Sequence, residues 1–173
     1  MQYRFDGKSP DIEDGAYISE LAMLIGDVKI AKDCYIGHGV ILRGDYGRIE
    51  INAGTAVEEG VIVHAPPREI CHIGQKVTIG HGAVVHSALI GDFAVIGMGA
   101  ILSMRSEVGE SSIVAEGAIV RVKQCLPARV VVAGNPARIV REIEKKDLEH
   151  WSYGKQLYID LARKYLAQGM ERL

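Results

Sequence analysis

The stretch "IGDFAVIGMGAILSMRSEVGESSIVAEGAIV", residues 90–120, carries an aliphatic side chain at every sixth position without a gap. These positions are Ile90, Ile96, Leu102, Val108, Val114 and Val120. A period of six matches neither the 3.6-residue repeat of an α-helix nor the two-residue alternation of a simple strand. It does match short strands separated by corners, with one aliphatic side chain of each strand pointing inward. The stretch therefore predicts a coiled β-structure.

The ladder of six continues upstream when three interruptions of its spacing are allowed. Its further members are Ile18, Leu24, Ile30, Ile36, Leu42, Ile51, Val57, Val63, Ile73, Ile79 and Val85. Small residues often stand four positions after a ladder residue, as at Ala94 and Ala100, which suits a narrow interior. Three such strands make one coil of about 18 residues, and coils stack about 4.8 Å apart. An ordinary β-sandwich of alternating strands is the other interpretation, and a ladder of this length disfavours it.

Length, net charge, apolar runs and cysteine content limit the kinds of protein that this chain can be. The chain has 173 residues, which fits one compact unit with a sizeable core, and its formal net charge of −2 comes without a basic run. Nucleic acid is therefore not expected as a partner. The start "MQYRFDGKSP" has no apolar segment of a signal peptide, and no apolar run is long enough to span a membrane. Three cysteines without a CxxC pair suit a reducing compartment, so we expect a cytoplasmic protein.

The last part of the chain has a different pattern. The ladder ends near Arg121, and a turn-rich stretch leads to a segment rich in helix formers from about residue 142. We therefore predict a β-helix domain over 1–141 and a helical segment over 142–173 that packs on it. The apolar stripe of this segment is Leu148, Trp151, Leu157, Leu161 and Tyr165, and Gly154 is expected to divide it into two helices.

Stacking the coils brings distant residues into one column. The residues that follow the ladder on one face are Arg43, His64, His86, Ser103 and Arg121. His64 and His86 are thereby neighbours about 4.8 Å apart at the backbone, close enough to bind one metal ion. His81 lies five residues before His86, roughly 15 Å along an extended strand, and cannot join them from the same chain. It can do so from a second subunit of a homotrimer.

Three histidines with an open fourth position are typical of a catalytic zinc site, whereas structural zinc is usually closed by four ligands. Zn²⁺ is the first choice for this site, and Fe²⁺ or Co²⁺ would also accept three imidazoles. Taken singly, each histidine is more often a surface or packing residue. The coincidence of two in one column and a third at a potential interface favours the metal.

Several segments resemble one known family. "LRGDYGRIEI", "TAVEEGVIVH", "IGHGAVVH", "IGMGAIL" and "VVAGNPARIVRE" are similar to the gamma class of carbonic anhydrase and its ferripyochelin-binding-protein-like relatives, which are left-handed parallel β-helices of hexapeptide repeats. The resemblance implies an all-β fold of that kind with a C-terminal helical segment. It also implies reversible hydration of CO₂ to bicarbonate by a metal-bound hydroxide, with His64, His81 and His86 as metal ligands at a trimer interface.

The resemblance assigns roles to three further residues. Arg43 and Asp45 match a pair at the subunit interface near the metal; they either order the trimer as a salt bridge, steady bicarbonate, or do both. Glu58 replaces a glutamine that is usual in the family. A carboxylate there either raises the pKa of metal-bound water or accepts a proton. The proton then leaves through Glu58, Glu59 or Glu69.

Two other functions stay open at this stage. Hexapeptide proteins often transfer acyl groups from thioesters with one histidine as general base, although a lone base does not need three converging histidines. A metal-binding trimer without catalytic activity, serving as a scaffold, is the third possibility. Metal content separates the first alternative from a carbonic anhydrase, and a CO₂ hydration assay separates the second.

Overall fold

A computed structural model describes residues 1–171 as a stack of short strands followed by one helix. The strands are β1 (Gln2–Tyr3), β2 (Asp11–Ile12), β3 (Tyr17–Ile18), β4 (Met23–Ile30), β5 (Tyr35–Ile36), β6 (Ile41–Ile51), β7 (Ala56–Val57), β8 (Ile62–His64), β9 (Ile70–Ile73), β10 (Thr78–Ile79), β11 (Val84–His86), β12 (Leu89–Ile90), β13 (Val95–Ile96), β14 (Ile101–Leu102), β15 (Glu107–Val108), β16 (Ile113–Val114), β17 (Ile119–Val120), β18 (Cys125–Leu126), β19 (Val130–Ala133) and β20 (Arg138–Glu142). The helix is α1 (Lys145–Gln168).

These strands form a prism with three faces. The face we call the histidine face stacks the first halves of β4 and β6 with β8, β11, β14 and β17. The helix face stacks β3, β5, β7, β10, β13, β16 and β19, one strand from each of seven coils. The third face joins the second halves of β4 and β6 to β9, β12, β15 and β18. Neighbouring coils pair in parallel, and β20 alone among the described strands pairs antiparallel, on β19. The predicted β-helix of hexapeptide repeats with a C-terminal helical segment is confirmed.

The ladder fills the interior of the prism. Every ladder residue except Ile18 is at most 2% exposed, and Ile18 is partly buried in the first coil. The small residues four positions later, such as Ala94 and Ala100, are fully buried as the pattern predicts. Cys34 and Cys71 are also buried in this core, whereas Cys125 is exposed. The core is therefore one continuous aliphatic column.

Glycine allows the backbone to turn from the histidine face to the third face. β4 and β6 are long because both cross this corner, where their register shifts between Gly26 and Val28. Gly26 has a φ of 73°, and a Cβ there would lie 2.5 Å from the Gly44 carbonyl oxygen. A Cβ on Gly44 would lie 2.5 Å from the Asp27 carbonyl oxygen. This corner separates Arg43 from Asp45 and so sets the positions of both side chains.

The C-terminal segment is one helix, not two. α1 continues through Gly154, so the expected break at this residue is wrong; within a helix glycine costs only about 1 kcal/mol relative to alanine, which packing can offset. The helix contacts β3, β5 and β7, as predicted for a segment that covers one face of the prism. Its buried side consists of Lys155, Ile159 and Ala162. Two members of the predicted stripe lie largely outside this contact, Leu157 at 49% and Leu148 at 36% exposure.

No helix within residues 1–171 combines the length and the apolar character that a membrane span requires.

Candidate metal centre

The predicted column of polar residues exists on the histidine face. Arg43 pairs in register with His64, and His64 pairs with His86, on the adjacent strands β6, β8 and β11. Each of these residues directly follows a buried ladder residue, so alternation along the strand turns its side chain outward. The stacking of coils thus brings residues 43, 64 and 86 together as expected from the spacing.

His64 and His86 form a stacked pair of imidazoles. Their ring centroids are 5.0 Å apart, and the planes differ by 16°. The Nε2 atom of His64 is buried and has no hydrogen-bond partner within the described chain. The nearest carboxylate oxygen, Oδ1 of Asp45, is 3.6 Å away, which is too long for a hydrogen bond. Buried polar nitrogens in proteins nearly always have a hydrogen-bond partner, so the unpartnered Nε2 atom requires an explanation.

The surroundings of His64 favour the neutral imidazole. Burial lowers the pKa of His64, and the positive charge of Arg43 lowers it further, while Asp45 opposes the change. A neutral imidazole has a lone pair free to bind a metal ion. The buried, unpartnered nitrogen, the stacked second imidazole and the neutral form together fit a divalent cation.

Arg43 and Asp45 form an ion pair beside the histidines. Arg43 Nη1 lies 2.9 Å from Asp45 Oδ2, and the backbone amide of Tyr46 donates to Oδ1 of the same carboxylate at 3.0 Å. Burial alone would raise the pKa of Asp45, but the hydrogen bond and charge of Arg43 outweigh it and hold the pKa below its usual value. Asp45 is therefore a carboxylate fixed between Arg43 and His64.

His81 lies apart from this column, in the turn between β10 and β11. Its Nε2 atom is 3.1 Å from Glu58 Oε2, and its Nδ1 atom is 2.8 Å from Glu59 Oε2. The ring is 47% exposed, whereas the side chain of Glu58 is only 8% exposed. A cation bound by His81 would replace one of these carboxylate contacts. His81 thus belongs to an acidic, outward-facing cluster.

The C-terminal helix and the helix face hold both carboxylates of this cluster. Tyr35 donates its hydroxyl hydrogen to Glu59 Oε1 at 2.7 Å, and Tyr158 of α1 lies close to Glu58. Burial raises the pKa of Glu58, partly offset by Tyr158 and His81. The sequence pattern did not identify these tyrosines; the only signal for Tyr158 was its presence in the helix that was expected to cover a face.

The three predicted ligands do not meet within one chain. Among residues 1–171, no group of three histidine, cysteine, aspartate or glutamate side chains could hold a metal ion. The chain brings together Arg43, Asp45, His64 and His86 as one cluster and Glu58, Glu59 and His81 as another. Within the described chain His81 therefore lies apart from His64 and His86, and its approach to a metal from a second subunit stays a prediction.

An apolar stripe that was not predicted from the sequence runs beside the histidine pair. Residues in register along the histidine face are Ile41, Ile62, Val84, Ile101 and Ile119. They precede the ladder residues by one position and point outward; Ile62 is 41% and Ile101 is 38% exposed. Reading the position before each ladder residue on this face would have revealed the stripe.

The other histidines have ordinary local partners. His38 Nδ1 lies 2.6 Å from the Ser19 hydroxyl oxygen, and His72 Nδ1 lies 3.3 Å from a Glu50 oxygen. His150 packs edge-on against Trp151. These contacts agree with the interpretation of all three as surface or packing residues.

Comparison with known proteins identifies relatives of two kinds. The chain is 36% identical over 159 residues to the carnitine operon protein CaiE of Proteus sp. (strain LE138), covering 92% of this chain and 81% of that protein. It is 34% identical over 162 residues to the mitochondrial gamma carbonic anhydrase 2 of Arabidopsis thaliana, covering 90% of this chain and 58% of that protein.

A solved structure agrees with these relatives. The crystal structure of a hexapeptide transferase family protein from Anaplasma phagocytophilum superposes with a TM-score of 0.92 at 32% identity, covering 95% of this chain and 98% of that one. No family model matches the chain. The predicted resemblance is confirmed, and the chain belongs to the family of hexapeptide-repeat proteins that includes the gamma carbonic anhydrases and CaiE.

Proposed function

We propose that this protein catalyses the reversible hydration of CO₂ to bicarbonate at a divalent metal ion held between two subunits of a homotrimer. His64 and His86 of one subunit and His81 of the next would supply the ligands. The observation that carries this proposal is the stacked His64–His86 pair, whose buried Nε2 atom on His64 has no partner within the described chain. The sequence similarity to gamma carbonic anhydrase 2 of Arabidopsis thaliana supports the choice of reaction.

The apolar stripe supports the trimer. Ile62 and Ile101 are exposed next to His64 and His86, and an apolar strip of this kind is best buried against another protein surface. A three-fold ring brings one face of each prism against its neighbour and closes without leaving an open end. It would also create three equal sites, each with its own His81.

A divalent cation held by these histidines would supply Lewis acidity for the activation of water. Zn²⁺ suits three imidazoles best, and Fe²⁺ or Co²⁺ are alternatives. The remaining work belongs to the chain. Arg43 offers a cation for bicarbonate, and Asp45 holds the Arg43 guanidinium through the 2.9 Å ion pair while lying beside His64. The two roles of Arg43, ordering the trimer and steadying the product, are compatible.

The proton leaves through the acidic cluster in this proposal. Glu58 Oε2 is 3.1 Å from His81 Nε2, and the neighbouring Glu59 is more exposed, with 36% of its side chain accessible against 8% for Glu58. Glu58 would take the proton near His81, and Glu59 would pass it to solvent. Glu69, the third candidate, is already paired with the Arg105 guanidinium at 2.9 Å, which makes it a poorer exit.

Metal analysis, sedimentation and stopped-flow CO₂ hydration on one preparation test the proposal. We expect one metal per chain, a trimer, and hydration activity that disappears with the metal in His64→Ala. Glu58→Gln restores the glutamine usual in the family and is the matched variant for the proton step. A metal-loaded trimer that is inactive both as wild type and as Glu58→Gln would instead identify a scaffold.

Acyl transfer is the competing activity, favoured by the similarity to the hexapeptide transferase family structure from Anaplasma phagocytophilum. An acyltransferase that uses a single histidine as base would bind no stoichiometric metal. Metal-free purified protein with thioester-dependent activity would therefore replace the carbonic anhydrase proposal. The cytoplasmic location stays a prediction, and the Arabidopsis relatives are mitochondrial.

A further inference from the structure

A cavity lies between α1 and the helix face, away from the histidine column. Its volume is about 840 Å³, within the range of small-molecule sites, which is about 300–1,000 Å³. Trp151, Phe93 and Ile159 contribute apolar surface to its walls. None of the residues assigned to the proposed metal centre lines this cavity.

A buried lysine is part of the cavity lining. Lys155 is only 6% exposed, and its Nζ atom donates to the Ala94 carbonyl oxygen at 3.1 Å and to the Thr78 hydroxyl oxygen at 3.3 Å. The same atom lies 5.9 Å from the centre of the Trp151 ring. Both hydrogen-bond partners are neutral, and no salt bridge within residues 1–171 includes Lys155.

A buried ammonium without an anionic partner is costly, because the interior does not replace the water it loses. The molecule reduces this cost by releasing the proton: burial lowers the pKa of Lys155 to about 7, although the nearby charge of Glu58 opposes the shift. An anion in the cavity would supply the missing partner. It would also favour the charged form of the amine.

The other charged groups of the cavity lie at its surface. Lys76 and Arg129 are exposed cations, and Glu110 and Glu149 are exposed anions. Water screens exposed charges strongly, and here their signs balance. The buried amine of Lys155 is therefore the group that would decide which charge the cavity prefers.

We propose that this cavity binds a small organic carboxylate, with its carboxylate on Lys155 Nζ and its apolar body against Trp151, Phe93 and Ile159. Charge complementarity to the buried amine selects an anion, and the aromatic and aliphatic walls select an apolar body over a bare inorganic ion. The cavity shares no lining residue with the proposed metal centre, so either proposal can fail without the other.

Trp151 reports on this site directly, since it is the single tryptophan of the chain. Fluorescence is recorded while the full-length protein is titrated with benzoate and, separately, with the neutral isostere benzamide. We expect a saturable change with benzoate and affinity at least about tenfold weaker for benzamide. Benzoate affinity should fall between about pH 6 and pH 9 as Lys155 loses its proton. Equal affinity for the two compounds, or no saturable change with either, would overturn the proposal.

Lys155→Met is the decisive variant, and Lys76→Met is its matched control on the cavity rim. Lys155→Met should remove the preference for benzoate over benzamide, and Lys76→Met should change benzoate affinity less than about threefold. Calorimetry of the wild-type protein in two buffers of different ionisation enthalpy needs no variant: near neutral pH, benzoate binding should take up a proton. Absence of proton uptake near pH 7, or a benzoate preference that survives in Lys155→Met, contradicts the assignment.

The independence of the two sites is tested with His64→Ala. Benzoate should bind this variant as it binds the wild type, whether or not the protein holds metal. Loss of benzoate binding in His64→Ala would place the carboxylate at the histidine column and remove the cavity from consideration.

Discussion

The histidine face and the helix face are built from the same ladder, yet their outer surfaces differ. On the histidine face the residues before the ladder are aliphatic and partly exposed, including Ile62 at 41% and Ile101 at 38%. On the helix face the equivalent column begins Tyr17, Tyr35, Ala56, Thr78 and Val95, all at most 8% exposed. The helix α1 covers much of that column, and nothing within the described chain covers the histidine face.

This contrast between the two faces shows that the inward and outward positions of the repeat have different roles. Inward positions specify the prism, and Ile, Leu or Val occupies them on all three faces. Outward positions specify what covers each face: the chain's own helix in one case and, in our proposal, a second subunit in the other. Substitutions on the two faces should therefore have effects of different kinds.

The largest effect is expected from a charge on the uncovered face. Ile62→Asp puts a carboxylate into the proposed subunit interface, where it would lose its hydration without a partner. We expect monomers by sedimentation and at least about 100-fold less bound metal. Leu157→Asp on the exposed side of α1, where Leu157 is 49% accessible, is the matched control and should remain a metal-loaded trimer. A trimeric Ile62→Asp protein would show that the stripe is not the interface.

A ladder substitution should affect both faces together. Ile96→Ala removes a fully buried side chain from the shared core and should lower the free energy of unfolding by about 2–5 kcal/mol in urea denaturation. Ile139→Ala, at a position that is 54% exposed on β20, should change it by less than about 0.5 kcal/mol. Similar small losses at both sites would contradict the interior role of the ladder.

The helix face should give stability a pH dependence above neutral pH. Lys155 lies on the buried side of α1 near Glu58, and its pKa is about 7, below the ordinary lysine value of 10.5. The unfolded chain therefore binds more protons between these two values. Stability should rise with pH across this window, by at most about 1.4 kcal/mol per pH unit, and the penalty for the buried charge should be complete below about pH 7.

Urea denaturation from pH 7 to pH 9 measures this slope. Lys155→Met removes the buried amine and should flatten it, while exposed Lys76→Met should leave it unchanged. A slope that persists in Lys155→Met would have to come from other groups.

A smaller effect should link the helix face to the acidic cluster. Tyr35→Phe removes the 2.7 Å hydrogen bond to Glu59 and should cost about 1–2 kcal/mol of stability, since the acceptor is charged. The trimer should persist in this variant. Tyr153→Phe, at a position that is 67% exposed, is the control and should have no measurable effect. If Tyr35→Phe is as stable as the wild type, the hydrogen bond from Tyr35 to Glu59 does not stabilise the acidic cluster around His81.

Much of this architecture could be predicted from sequence because a solenoid repeats one local rule. The six-residue ladder gave the strands, the core and the vertical neighbours, and hence the pairing of His64 with His86. The same six-residue spacing indicated that His81 does not lie in the column of His64 and His86. The prediction succeeded because the number of residues between successive strands determines which residues lie next to each other in the stack.

The remaining features depend on how separate elements dock, which no repeat encodes. Gly154 was expected to end a helix, yet α1 continues through it because packing on the helix face outweighs the local preference. The burial of Lys155 and the contact of Tyr158 with Glu58 depend on the rotation of α1 against the prism. Leu157, by contrast, looked like part of the packing stripe and lies on the outside.

Subunit mixing tests most directly whether two chains build each metal site. His81→Ala and His64→Ala each remove one proposed ligand, so each pure variant should lack metal. When equal amounts are unfolded together and refolded, about one interface in four should combine an intact His81 with an intact His64–His86 pair, restoring about a quarter of the wild-type metal content. Mixed protein with no more metal than either pure variant would contradict a site shared between subunits.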